Sequence, residues 1–223
     1  MSGSTKGTSV NIFLDDDQLL LQETVRTYLD KNVAHVVAEH EQARTFPWES
    51  HGALYEFGYE RGMASLEDGG DAISYTTNAL LMEEAGHCWG SLRATLNVQS
   101  MVARLLSLAG TPEQKARFLE PMLRGERFGW FALTEPDAGS DAGALRTSAR
   151  PDGDNYVING AKLYITNAMH ADFGIVLAQV PDHGVTAFLV DRDESPYVCN
   201  DIAHMPLRST TTCELGFDDV RVP

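Results

Sequence analysis

Along the first half of the chain, apolar residues return at every third or fourth position. Leu21, Val25, Leu29, Val33 and Val36 keep that spacing, and Asp15, Asp16 and Asp17 stand ahead of them, where a helix N-terminus favours negative charge. A first helix is expected there. A shorter one is expected after Pro47, carrying Leu54 and Phe57 and weakened at its far end by Gly58 and Gly62. Glu67 to Asp71 (EDGGD) reads as a loop. Helical spacing resumes from Ile73 to Glu84, and again through Leu92, Leu96, Val102 and Leu106, with Gly110 as a C-cap. Thr111-Pro112-Glu113-Gln114 opens the next helix: Thr as N-cap, Pro in the first turn, Gln completing a capping box. Phe118, Leu119, Met122 and Leu123 form its apolar stripe.

After Gly125 the period drops to two. Phe128, Trp130 and Ala132 alternate as in a strand. Asn155 to Thr166 (NYVINGAKLYIT) is expected to be a hairpin with Asn159-Gly160 at a type I′ turn. DFGIVLAQV, VTAFLV and CELGFDDVRVP supply further strands. The chain therefore reads as α+β: a flexible arm over 1–14, a helical domain over 15–125, and a β-barrel-like domain over 126–223. No internal repeat is visible.

Composition narrows the function. The formal net charge of −15 opposes a nucleic-acid backbone and demands local donors for any anionic ligand. No apolar run reaches the roughly 18 residues that suggest a membrane span, and MSGSTKGTSV lacks the apolar segment of a signal peptide. Cys88, Cys199 and Cys213 have no metal-type spacing and fit reduced cysteines in a cytoplasmic protein. The seven histidines are scattered, so no metal is expected.

The loop after the first strand, FALTEPDAGSD (Phe131 to Asp141), is short of bulky side chains. Pro136 fixes φ, Gly139 removes the Cβ barrier, and Thr134 and Ser140 offer hydroxyls. Such a loop can approach a flat or phosphorylated ligand, but an ordinary surface turn has much the same residues. Its order of residues resembles the LTEPxAGSD motif of the acyl-CoA dehydrogenase family. Three more segments resemble that family in order and spacing: GTPEQKARFLEPMLRGE (110–126), NGAKLYITNAMHAD (159–172) and LRSTTTCELGFDDVRVP (207–223).

The resemblance implies an N-terminal helical domain, a middle β domain and FAD bound between domains. It implies that Phe131, Ala132, Leu133, Thr134, Gly139 and Ser140 run along the flavin, with Thr134 and main-chain amides at its polar edge. Tyr164-Ile165-Thr166 stands where the family has Trp-Ile-Thr, and Thr166 is expected to reach toward flavin N5. Ser140 is expected near the pyrophosphate or the bound acyl-CoA. The family's C-terminal helical domain, which holds its catalytic Glu, is absent from these 223 residues, so no catalytic base is expected among them, and a partner subunit is expected to supply that domain. Glu83, Glu84, Glu135, Asp137 and Asp141 are expected to be structural or surface groups, with Glu83 and Glu84 on a solvated helix face.

SLRATLNVQS (91–100) is similar to the corresponding helix of glutaryl-CoA dehydrogenases. There an Arg pairs with the acyl carboxylate, which makes Arg93 and Asn97 candidates for an acidic acyl chain. An exposed Arg, or one paired with Glu83 or Glu84, is the alternative. Val180-Pro181 after Gln179 departs from the polar residue that many relatives carry at the CoA, so either CoA is held differently here or the thioester rides on a carrier protein. The implied electron acceptor is an electron-transfer flavoprotein or similar protein. Flavin oxidase or monooxygenase chemistry on the same fold, and a non-catalytic subunit, are the competing readings.

Overall fold

A computed structural model describes residues 14–46, 54 and 57–223. Helix α1 spans Asp16–Asn32. Asp15 is its N-cap: its carboxylate accepts the Gln18 amide at 2.8 Å, and the Gln18 side chain accepts the Asp15 amide at 3.2 Å. The helix stops short of Val36: Val33 is its C-cap, with its amide donating to the Leu29 carbonyl. A 3₁₀ turn over Ala34–Val36 intervenes before α2, Val37–Ala43. The helix expected after Pro47 lies largely outside the described residues, but Leu54 is buried and Phe57 packs against the same cluster.

Helix α3 (Tyr75–Cys88) starts on Ser74, whose hydroxyl accepts the Thr77 amide. Helix α4 (Gly90–Ala109) buries Leu92, Leu96, Val102 and Leu106. The Thr111 capping box forms and opens α5, Pro112–Gln114. A π-helical turn over Lys115–Leu119 then leads into α6, Glu120–Leu123. Pro121 has no N–H to give the turn before it, and its ring collides with the carbonyl four residues back; the wider turn relieves both.

The remaining chain forms one mixed sheet. Its strands are β1 (Gly129–Ala132), β2 (Ser148–Asp152), β3 (Asn155–Thr166), β4 (Phe173–Val180), β5 (Gly184–Asp191), β6 (Val198–Asp201) and β7 (Thr212–Val222). They lie in the order β1-β4-β2-β3-β7-β6, with β5 on β4. Trp130, Ile158, Val176, Val190 and Leu215 meet in one buried cluster. Strands from distant places in the order thus share a core, which requires the sheet to curl.

One expectation fails here. Asn159-Gly160 is not a turn, because β3 runs through it from Asn155 to Thr166. The reversal falls at Gly153, in the left-handed region at φ +64. Gly160 marks a bulge in the β3–β7 ladder instead. A Cβ there would sit 2.6 Å from Thr147 Oγ1 and 2.7 Å from its Cα, so close approach, not a turn, explains this glycine.

Helices and sheet meet through α4. Gln99 is buried and bonds both ways with Gly129, donating to its carbonyl at 2.9 Å and accepting its amide at 3.0 Å. Asn167 Nδ2 donates to the Thr95 carbonyl at 3.2 Å. Phe131 and Ile175 pack outward against the α4 side, while Trp130 and Ala132 face the sheet's own core.

Candidate functional site

The register of β4 creates the opening. Along the β4 edge, β1 pairs with Phe173 to Val176, and β2 joins at Gln179. The chain leaves β1 after Ala132 and returns in β2 at Ser148, so residues 133–147 must loop out between two strands lodged on the same edge.

Strand β3 holds that loop. The Leu163 amide donates to the Thr134 carbonyl at 2.8 Å. Lys162 Nζ donates to the Leu133 carbonyl at 2.9 Å and to Glu135 Oε1 at 2.8 Å. The Glu135 carboxylate also accepts the amides of Arg146 at 2.6 Å and Thr147 at 2.9 Å, closing the loop's far end. Both partners of the ion pair are buried, Lys162 completely. Burial pushes the Glu135 carboxyl up, but Lys162 and the Thr147 and Arg146 groups outweigh it and hold it down at about 2. Burial lowers Lys162, with Glu135 acting against that shift.

The two segments singled out in the sequence are therefore joined. Thr134 and Thr166 are half-buried, Gly139 and Ser140 are exposed, and Ile165 is buried beneath. Tyr164 is 62% exposed and sits at φ +62, in the irregular part of the β3–β7 ladder between Lys162 and Ile165. A bulge of this kind turns a side chain out of the pleat, and here the exposed aromatic follows Leu163, whose amide holds the Thr134 carbonyl. A Cβ on Gly139 would meet nothing within 4 Å, so that stretch opens to space.

Arg93 and Asn97 come from helix α4, not from this loop and strand. They stand on the α4 face opposite Thr95 and Gln99, the residues that meet the sheet. Arg93 is exposed, and among the described residues it pairs with neither Glu83 nor Glu84. Asn97 lines a cavity of about 260 Å³ with Met63, Asn78, Met101 and Arg104.

The solvated face expected for Glu84 is a correction. Glu84 is buried under α1, where Arg26 grips it with two hydrogen bonds of 2.8 and 2.6 Å, and Gln22 adds a third. Glu83 is exposed. Asp137 forms an exposed pair with Arg146, and Asp141 is exposed. Among the described residues no cluster of three or more His, Cys, Asp or Glu is arranged to hold a metal, and no helix is long and apolar enough to cross a membrane. The residues that sequence reasoning passed over are Lys162, Thr147 and Glu41. A lysine at an inward position of a strand was the available signal for the first.

Two family models match the chain: acyl-CoA dehydrogenase, N-terminal domain, over residues 15–126, and acyl-CoA dehydrogenase, middle domain, over residues 130–220. The chain belongs to the acyl-CoA dehydrogenase family. Among its relatives is the short-chain specific acyl-CoA dehydrogenase of Clostridium acetobutylicum, 33% identical over 94% of this chain and 57% of that protein. The benzylmalonyl-CoA dehydrogenase of Aromatoleum aromaticum is 36% identical over 94% of this chain and 56% of its own length. A crystal structure of a glutaryl-CoA dehydrogenase from Mycobacterium smegmatis in complex with FADH2 superposes with a TM-score of 0.88 at 32% identity, covering 94% of this chain and 54% of that one. This acyl-CoA dehydrogenase chain thus spans little more than half the length of these relatives.

Proposed function

We propose that this chain is the FAD-binding part of an acyl thioester dehydrogenase that introduces an α,β double bond. The observation that carries the reading is the 2.8 Å bond from the Leu163 amide to the Thr134 carbonyl. It fastens the side-chain-poor loop to the segment bearing exposed Tyr164, and together they make a polar edge beside an aromatic face. That combination suits a flat, polar-edged ring. FAD, when bound, supplies a hydride acceptor for the acyl β-carbon.

The chain's own part is binding and orientation. Leu133, Thr134 and Glu135 present main chain held from behind, and fixed donors of this sort stabilise negative charge without rearranging. Gly139, Ser140 and Thr166 line the same region in this reading, and Phe131, Ala132 and Ile165, whose side chains pack inward, contribute main chain to it. Ser140, Arg93 and Asn97 are assigned to the acyl thioester, with Arg93 suited to an acidic acyl chain. The α-proton is left to a base outside these residues, on a C-terminal helical domain, and the electrons pass to an electron-transfer flavoprotein or similar acceptor.

The test is a titration of the purified chain with FAD, alone and with a separately expressed C-terminal helical domain from a relative, followed by butyryl-CoA and glutaryl-CoA with a dye acceptor. The expected result is a shifted flavin spectrum in the mixture and bleaching by at least one thioester. A free-flavin spectrum under every condition would overturn the reading.

A further inference from the structure

Lys162 lies in the middle of β3 with no solvent exposure, and nothing in the proposed chemistry uses it. Its ammonium donates to the Leu133 carbonyl at 2.9 Å. The next carbonyl, that of Thr134, accepts the Leu163 amide, and Glu135 exchanges main-chain bonds of 2.7 and 3.3 Å with Ala138. Every carbonyl from Leu133 to Glu135 is therefore held. The amide of Thr134, in contrast, donates to no main-chain group among the described residues.

That amide belongs to the same peptide as the carbonyl Lys162 grips. A cation on a peptide oxygen draws electron density through the C–N bond, and the N–H on the other end becomes a stronger donor. The arrangement is costly, because burying an ammonium and a carboxylate removes both from water, and well-packed apolar residues of similar size often do as well or better for stability. Glu135 offsets the charge, and its remaining capacity goes to Arg146 and Thr147, the residues that bring the loop home. A buried cation aimed at one carbonyl therefore does more for that peptide than for the fold.

We propose that Lys162 is a positioning residue that fixes and polarises the Leu133–Thr134 peptide, so that the Thr134 amide is presented as a strong donor to the flavin edge. This rests on the flavin reading above. The Lys162–Glu135 couple acts through the loop and touches no reacting atom.

The test begins with the flavin-free chain. In the wild type the Thr134 amide proton resonance should titrate together with the Lys162 ammonium nitrogen as the pH is raised. The double variant Lys162→Met/Glu135→Gln removes both charges and keeps a carbonyl oxygen for one of the two amides, Arg146 or Thr147, which bond to different oxygens of the native carboxylate. It should keep the fold, move the Thr134 amide proton upfield, and weaken FAD binding at least tenfold by fluorescence titration. Lys162→Arg should restore part of both. A Thr134 resonance indifferent to Lys162 titration overturns the proposal, and so does a folded double variant whose FAD affinity stays within twofold of the wild type. A wild-type chain that never binds FAD, alone or with the C-terminal domain, sinks the flavin reading. The Thr134 titration then still decides whether Lys162 polarises that peptide.

Discussion

Two loops at the edge of this sheet are held by the same device, a carboxylate accepting two consecutive main-chain amides. Glu135 takes Arg146 and Thr147 at 2.6 and 2.9 Å. Glu41 takes Arg208 and Ser209 at 2.8 and 3.4 Å. The resemblance ends with their other partners. Glu135 reaches amides in its own loop and carries a fully buried ammonium. Glu41 reaches across from α2, half-exposed, and accepts from Trp89 Nε1 at 2.7 Å and from the Ser91 hydroxyl. The first carboxylate shapes a loop within the sheet, and the second fastens helices to sheet. They should therefore fail differently. Without Glu135 a charge is stranded where water cannot reach, whereas without Glu41 neutral donors are released at a seam that water can enter.

The largest expected effect follows from that contrast. Glu135→Ala leaves Lys162 without its counterion and two amides without an acceptor. Breaking a buried pair in this way costs about 3–5 kcal/mol, to be read from the shift in urea midpoint. If Glu41→Ala cost as much, the contrast would be wrong.

Acid should separate the two next. Glu135 is held at about 2 in the folded chain, against roughly 4.3 for an unfolded glutamate. Its stabilisation is therefore complete above the unfolded value and lost as the pH falls through that interval towards the folded one. The whole of it amounts to about 3 kcal/mol. Glu41 is also lowered: burial pushes it up, and bonds from Ser91, Trp89, Arg208 and Ser209 outweigh that. Denaturant midpoints measured down the acid limb should fall less steeply in Glu135→Gln than in the wild type, and the difference isolates Glu135 from the other carboxylates.

What was legible in the sequence divides along similar lines. The helix faces could be read because period and burial coincide: Val25, Leu29, Leu92, Leu96 and Leu106 recur at helical spacing and are buried. The Thr111 capping box was legible because it is a local exchange over three residues. Asn159-Gly160 misled because Gly160 answers to Thr147, the loop residue just ahead of the neighbouring strand β2, and not to the local turn its dipeptide suggests. Glu84 misled for the same reason, since its partners Arg26 and Gln22 lie 58 and 62 residues away. In the candidate site, the residue types at Thr134, Tyr164 and Thr166 could be picked out by their motif. The Lys162 grip on the Leu133 carbonyl could not, because it depends on which strand lies behind the loop.

The smallest effect sharpens the comparison most. Glu41→Ala removes an acceptor for two amides, an indole and a hydroxyl, but all four are neutral donors and the half-exposed position of Glu41 gives water a way to replace it. The cost should fall to about 1–3 kcal/mol, the range for leaving hydrogen-bonding groups unsatisfied. Its signature should also be local. Hydrogen exchange should accelerate at Arg208 and Ser209, which lose their acceptor. Arg146 and Thr147 should keep the wild-type rate, since Glu135 and Lys162 hold them without help from α2. Leu207 packs against Gly90, with its Cδ2 2.5 Å from where a glycine Cβ would stand, so the 207–209 segment touches the helices at one further point. If that contact alone holds the segment, exchange at Arg208 stays slow in the variant, and Glu41 is a bystander at the seam rather than its fastening.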